Sequence, residues 1–373
     1  MTYQAEQYAK DVISGKIPSG KPMIWACERY FRDLKQARKK GWRFNRAKAE
    51  AVIDYFSMLT QWKGKHAGKP LELLPWQQFI VWNVYGWENL DGTRRFKYSY
   101  TEVAKKNGKT TMMAGMALWS IDEMENEPGP QTYIAATKSE QAMLCFNDCK
   151  SFARSQELDG VFEVLQYAVY NPMNNGSIKP LSKDTKSQDG IDVHCAIIDE
   201  YHAHKTDEMF ENLKSATVAR RQPLISIITT AGFNMTYPCY EFRQMCVEVV
   251  KGIKEDNALF VAIFQMDDED DWQDTDNWVK SNPSLGHTLE LKSLLDEYQI
   301  VLNQPSKQFN FRVKNLNQWV NKPTQWIDDD DWKAIERKYT ANDLVGMKCT
   351  GGLDLAVVRD LAALSLKIGR AHV

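Results

Sequence analysis

Two short segments of the chain carry residue types that can act on a phosphoanhydride. In VAKKNGKTT, Val103 to Thr111, a glycine precedes a lysine and two hydroxyl residues. Gly108 would let backbone N–H groups approach phosphate oxygens, Lys109 would reach the β- and γ-phosphates, and Thr110 would hold Mg2+. Lys105, Lys106, Asn107 and Thr111 complete a loop that would wrap ATP. The first glycine of the usual phosphate-loop pattern falls at Val103. In CAIIDEYH, the apolar or small residues Cys195 to Ile198 lead into Asp199 and Glu200. Adjacent acids at the end of a buried strand are costly without a cation, so Asp199 is assigned to the Mg2+ shell and Glu200 to the attacking water. Taken singly, a bare Gly-Lys-Thr can arise by chance, although here a strand precedes it and a helix follows, and the second segment reads equally as a solvated strand end. Their order along the chain joins them.

Weaker candidates surround this pair. Thr229, Thr230 and Gly232 close an apolar run, PLISIITTAG, where a parallel sheet binds ligands. Trp76 and Gln77 would stack on and hydrogen-bond an adenine, although core packing explains Trp76 equally well. Arg220 and Arg221 are candidates to stabilise a transferring phosphate in a neighbouring subunit, with a helix-terminal charge as the plainer reading. His202 and His204 read as a polar loop rather than as metal ligands. Asp354, between leucines in a strand-like run, has the position of a nuclease acid. A two-metal site with ions about 4 Å apart needs more carboxylates than Asp360 alone adds.

The elements that must position these residues follow from periodicity. Up to about Gly68, apolar residues recur at three- and four-residue steps and predict helices. Within them a basic run, Arg29, Arg32, Lys35, Arg38, Lys39, Lys40, Arg43, Arg46 and Lys48, reads as a solvated face or a phosphate-contacting one. From Phe96, β-branched runs (FKYSYTEVA, TYIAAT, DVHCAIIDE, PLISIITTA) alternate with helical stretches at Thr110 to Glu123, Ser139 to Arg154 and Thr206 to Ala219. This predicts an α/β fold with a mostly parallel sheet buried on both faces. An acidic run, DDEDDWQDTD, reads as a solvated linker before a helical region at Leu289 to Trp319. Two strand-like runs around an Arg-Asp turn follow. The expected division is residues 1–68 helical, 69–264 phosphate-binding core, 265–345 linker and helical subdomain, and 346–373 the start of a further domain.

Composition sets the outer limits. The chain has 373 residues, 43% of them hydrophobic, and a net charge of −2, which excludes disorder and a uniformly basic coat but allows a local basic track. No window holds the roughly 18 apolar residues of a bilayer span, and the N-terminus lacks a secretion signal, so a soluble, intracellular protein is expected. The seven cysteines are scattered without a CxxC pair, and are expected to be reduced and mostly buried.

The ordered set LPWQ, VAKKNGKTT, IAATKSEQA, DG…AIIDE, ITTAG, W-x-x-SNPSLG, NLNQWV and GLDL…RDLAAL resembles the large terminase subunit of tailed bacteriophages, in its HK97-like branch. The resemblance spans about Leu71 to Leu366. It implies a P-loop NTPase of the ASCE type joined to an RNase H-like nuclease domain. It also implies ATP-driven packaging of double-stranded DNA through a portal protein, with a small terminase subunit and a homo-oligomeric ring at the procapsid in the host cytoplasm. Its Walker A motif falls on Lys105 to Thr110, with Lys105 where many relatives have Arg; Lys keeps the charge without the bidentate fork. Asp199 and Glu200 match its Walker B pair, Thr229 to Gly232 its coupling motif, Trp76 and Gln77 its adenine-side motif, and Asp354 its first nuclease metal ligand. Family members continue through further strands, so the reading expects a chain truncated within the nuclease domain, without nuclease activity, ending in a non-native IGRAHV tail (368–373). The alternatives are a helicase-like DNA translocase and a non-enzymatic fragment that binds DNA or a portal.

Overall fold

Helices form where the sequence repeats its apolar residues at helical spacing: α1 (Gln4–Ile13), α2 (Lys21–Lys40), α3 (Arg46–Ser57) and α4 (Pro75–Gly86). Proline in the first turn starts α2, and Gly41, at φ +76°, ends it in the left-handed conformation that glycine adopts without strain. Between these helices β1 (Trp42–Phe44) pairs antiparallel with β2 (Trp87–Asn89), too short a ribbon to show in the helical pattern. Tyr30 staples the layer together. Its hydroxyl donates to Glu6 Oε1 at 2.8 Å and accepts from Trp82 Nε1 at 2.9 Å, tying α1, α2 and α4.

Most of the basic run is solvent-exposed, as a solvated face is, and five of its nine residues are also tied to other elements. Arg29 is buried and donates to the carbonyls of Leu259 and Asp256. Arg43 and Lys48 approach Glu88 at 2.8 and 3.9 Å, Arg46 pairs with Glu6 at 3.0 Å, and Lys40 pairs with Glu255. Arg32, Lys35, Arg38 and Lys39 are exposed.

The computed structural model describes residues 3–182, 190–320, 334, 340–354 and 363–368, in two units, Met1–Lys322 and Pro323–Val373. In the first, β3 (Tyr98–Glu102), α5 (Lys109–Trp119), β4 (Gln131–Ala136), α6 (Ser139–Phe152), β5 (Glu163–Val164), β6 (Val169–Asn171), β7 (Gly176–Ser182), β8 (Cys195–Asp199), α7 (Glu208–Ser215), β9 (Leu224–Thr229), α8 (Pro238–Lys251) and β10 (Leu259–Ile263) build one sheet and its helices. The strand order is β10-β3-β9-β8-β4-β7-β6-β5. From β10 to β7 the pairs are parallel, whereas β5, β6 and β7 form an antiparallel edge. Every residue of β8 and β9 is buried, as expected for strands covered on both faces. The registers Glu102↔Thr229 and Asp199↔Ile228 bring the C-terminal ends of β3, β9 and β8 to one edge. There β9 separates the strand that leads into the lysine loop from the strand that carries the acids.

The acidic run is ordered. Asp267 accepts the first N–H of α2 at 2.8 Å, Asp270 accepts from Lys280 Nζ at 2.7 Å, and Lys21 pairs with Glu269. Carboxylates at the positive end of α2 and around Lys280 give these charges partners that a linker reading does not foresee. Beyond it, α9 (Leu291–Asn303) and α10 (Gln308–Leu316) close a small separate core around Trp278, Phe311, Leu294 and Leu316. In the second unit β11 (Cys349–Asp354) and β12 (Ala363–Ile368) form an antiparallel pair with Asp354 opposite Ala363. The predicted Arg-Asp turn lies outside the described residues. Among the described residues no helix is long and apolar enough to cross a membrane. Six cysteines are buried thiols, and Cys349 is exposed.

Because the Tyr30 hydroxyl serves two partners at once, Tyr30→Phe is expected to lower the unfolding free energy by about 1–2 kcal/mol, measured by urea denaturation.

Candidate active site

β3 ends at Glu102, and the chain then turns through Lys106 at φ +65° and Gly108 at φ +82° before entering α5 at Lys109. The first turn of α5 therefore points unpaired N–H groups and its positive dipole end at whatever lies over the C-terminal edge of the sheet. A β-carbon on Gly108 would lie 3.3 Å from Gln77 Nε2, so the amide of Gln77 borders the loop. Lys109 is 6% exposed, whereas Thr110, Thr111 and Lys105 are half-buried and Lys106 is exposed.

The loop is clamped from outside by the segment after β10. Lys105 N donates to Lys314 O at 2.9 Å. Asn107, fully buried, donates through Nδ2 to Asn282 Oδ1 at 2.9 Å and accepts Ser284 N at Oδ1 at 3.0 Å. Ser284 Oγ donates to Asn107 O and accepts from Trp76 Nε1, both at 3.1 Å. A side-chain amide that is fully satisfied on both sides fixes the loop more tightly than its backbone alone can. The W-x-x-SNPSLG segment thus has a visible physical task, which its composition did not disclose.

The acids stand opposite. Lys109 Nζ lies 3.6 Å from Glu200 Oε1. Glu200 has φ +51°, and its N–H donates to Asp199 Oδ1 at 2.8 Å. Burial, and then the charge of Glu200, push the Asp199 carboxyl up to about 6. Burial also acts to raise Glu200, but His202, Lys109 and Lys105 outweigh it and hold the carboxyl down at about 2. Glu200 Oε2 is buried without a hydrogen-bond partner. A raised acid next to an ionised one with an orphan oxygen is a site short of positive charge, and the donor set present, the Thr110 hydroxyl and the Asp199 carboxylate, suits a hard divalent cation such as Mg2+.

Thr229 and Thr230 lie beside this pair. His202 N donates to Thr229 Oγ1 at 3.0 Å, and Ala231 N donates to Asn317 Oδ1 at 2.7 Å. A β-carbon on Gly232 would meet the Trp319 ring at 3.0 Å and His202 Cβ at 3.1 Å, so any larger residue would have to push these groups apart by a few tenths of an ångström. Beneath them Glu102, fully buried, accepts from Tyr100 OH at 2.6 Å and from Arg243 Nε and Trp319 Nε1, each at 3.2 Å. Glu102 was not singled out in the sequence, Asn317 and Trp319 entered only within the NLNQWV motif, and His202 was read as part of a polar loop. An acid at the end of an apolar strand is the one signal that pointed to Glu102.

Several candidates are placed elsewhere. Trp76 is 1% exposed, set edge-on against Phe264 at 5.1 Å and bonded to Ser284; it braces the loop and has no face open for an adenine. Gln77 keeps that possibility, since its Oε1 caps Leu74 N at 2.9 Å while its Nε2 faces Gly108. Thr111 Oγ1 reaches Asp148 Oδ2 at 3.4 Å and so faces α6. Arg220 is engaged by Asp192 at 2.9 Å, Glu127 at 3.4 Å and the carbonyls of Pro128 and Gly129. Arg221 is exposed, with Nη2 donating to Asp91 O at 3.3 Å. Both arginines precede β9, so about 20 Å of strand separates them from Thr229; neither reaches the phosphate loop of its own chain. Asp354 is placed as the last residue of β11.

A lysine at a helix start after a parallel strand, facing acids on the strand two places away, defines the site of a P-loop NTPase. Residues 75–248 match the terminase large subunit ATPase domain, and residues 253–370 match the terminase large subunit endonuclease domain. The chain belongs to the terminase large subunit family. The second match takes in α9 and α10 as well as β11 and β12. The chain is 34% identical to protein YmfN of Escherichia coli (strain K12) over 184 residues, 49% of this chain and 40% of that protein. It is 26% identical to the terminase large subunit of Enterobacteria phage HK97 over 321 residues, 84% of this chain and 60% of that one. The crystal structure of the HK97 large terminase superposes with a TM-score of 0.65 at 24% identity, covering 86% of this chain and 64% of that chain, and shares its fold. The chain thus spans 40 to 60% of the length of these two curated relatives.

With its folded value near 6, the Asp199 carboxyl contributes stability that is whole below about pH 4 and is lost as the pH rises through 6. Asp199→Asn, which keeps the Oδ1 acceptor, is therefore expected to stabilise the nucleotide-free chain by about 3 kcal/mol at pH 8 and by about half that at pH 5, measured by urea denaturation at both values.

Proposed function

We propose that this chain is the ATP-hydrolysing part of a terminase large subunit that drives double-stranded DNA into a phage procapsid. The observation that carries the reading is the Lys109–Glu200 pair at 3.6 Å, set between the start of α5 and the ends of β8 and β9. Lys109 would leave Glu200 for the β- and γ-phosphates of ATP, where its charge is needed more. The N–H groups of the Lys106 to Lys109 turn would bind phosphate oxygens, and Gln77 would meet the base. Freed from Lys109, Glu200 would orient the attacking water, its low pKa keeping it an acceptor. Thr110 and Asp199 are the residues that would hold Mg2+, which neutralises phosphate charge when bound. Lys105 adds charge beside the loop.

Thr229, Thr230 and Gly232 would pass the state of the site to the α9–α10 region, through Asn317 and Trp319. The partners that fit this reading are double-stranded DNA, a portal protein, a small terminase subunit and further copies of the chain in a ring, in the host cytoplasm and at the procapsid. Arg221, exposed on the opposite sheet edge, is the arginine a neighbouring copy would receive with least rearrangement. Asp354 is assigned to the first metal of the endonuclease domain.

Lys109→Ala is expected to reduce ATP turnover by at least about 100-fold, followed by phosphate release; turnover at the parent rate would sink the assignment. On the adenine side, Gln77→Ala should raise the KM for ATP several-fold, while Trp76→Phe should leave it within about twofold and lower the melting midpoint, because it loses only the bond to Ser284.

A further inference from the structure

We propose that His202 is a positioning residue for Glu200, a single N–H donor that holds the carboxylate in place and joins it to Thr229. The inference rests on the ATPase reading above and adds to it a residue outside the Walker A loop and the Asp199–Glu200 pair.

The argument is a count of hydrogens. His202 Nδ1 lies 3.1 Å from Glu200 Oε2, 3.0 Å from Thr229 Oγ1 and 3.4 Å from Thr230 Oγ1. Each hydroxyl has one hydrogen, and each directs it at a backbone carbonyl: Thr229 Oγ1 donates to Thr230 O at 2.9 Å, and Thr230 Oγ1 donates to Ala231 O at 3.0 Å. Both threonine oxygens therefore face the imidazole as acceptors, and so does the Glu200 carboxylate. A nitrogen surrounded by three acceptor oxygens must carry the hydrogen itself, which assigns a proton to Nδ1.

One hydrogen cannot serve all three oxygens. In this arrangement it is aligned with Thr229, and Glu200 Oε2 is left in ion-pair range but without a hydrogen bond. The other Glu200 oxygen is held by Lys109. A triphosphate competes for Lys109, and once the lysine turns to it, the imidazole N–H is the donor left beside Glu200. A small rotation moves that hydrogen from Thr229 to Glu200 and keeps the carboxylate aimed while Thr229 is released. The backbone is built for this: His202 N is itself anchored to Thr229 Oγ1 at 3.0 Å, and Gly232 leaves open the space beside His202 Cβ, where a β-carbon would come within 3.1 Å. Pinned at its main chain, with the ring nitrogen shared among these oxygens, His202 can shift its hydrogen from one to another without moving the strand ends.

The test is steady-state ATP hydrolysis by the parent chain, His202→Ala and His202→Asn, with thermal midpoints measured alongside. Asparagine places an amide N–H close to the position of Nδ1. His202→Ala is expected to lower kcat by about 10- to 100-fold with KM for ATP within about twofold, and His202→Asn to recover most of the loss. An alanine variant that keeps the parent kcat, one that changes only KM, or an asparagine variant as slow as alanine overturns the inference while leaving the ATPase reading intact. A parent chain that hydrolyses no ATP overturns both.

Discussion

Two adjacent carboxylates at the end of a buried strand are the constraint around which the rest of the molecule is arranged. In water they would be unremarkable, but here Asp199 is driven up to about 6 while Glu200 stays ionised at about 2. Lys109 from the facing loop offsets part of that cost, and a divalent cation beside Thr110 would offset more. The arrangement is poised rather than satisfied, as a site that must exchange partners during turnover has to be. Stability is lost where function needs an unmet charge.

What keeps such a site from collapsing is the scaffold on its outer side. Asn107, Asn282, Ser284 and Trp76 form one hydrogen-bonded chain behind the phosphate loop. Glu102 gathers Tyr100, Arg243 and Trp319 under the strand ends. The first network is buried and the second centres on the buried Glu102, so these bonds count for more than they would at the surface. Both also reach across from the sheet to the α10 end, so a change in the loop is felt outside the sheet. The phosphate loop, the acids and the α9–α10 region are in this sense one mechanical object.

The four central strands and the loop between β3 and α5 were legible because buried parallel strands leave a continuous apolar run, and because Gly-Lys-Thr at a strand-to-helix turn has few other uses. β5, β6 and β7 were not, since edge strands partly exposed to solvent lack that run. The acidic stretch looked like a solvated tether because composition shows charge but not the Lys21 and Lys280 partners waiting for it. Trp76 was left open between nucleotide and core, because its neighbours lie more than 180 residues away in sequence, at Phe264 and Ser284. His202 was read as part of a polar loop for a similar reason: its meaning depends on Thr229, at the end of β9. Sequence spacing reveals groups that share a turn and hides those that meet across the sheet edge.

The central claim, that this edge of the sheet holds a nucleotide together with a divalent cation, is tested most directly by calorimetric titration of the chain with a non-hydrolysable ATP analogue, with Mg2+ and with a chelator. The account predicts one site per chain whose affinity falls at least about tenfold when the cation is removed, a change of about 1.4 kcal/mol. Absence of binding, or binding of equal strength without the cation, would contradict it.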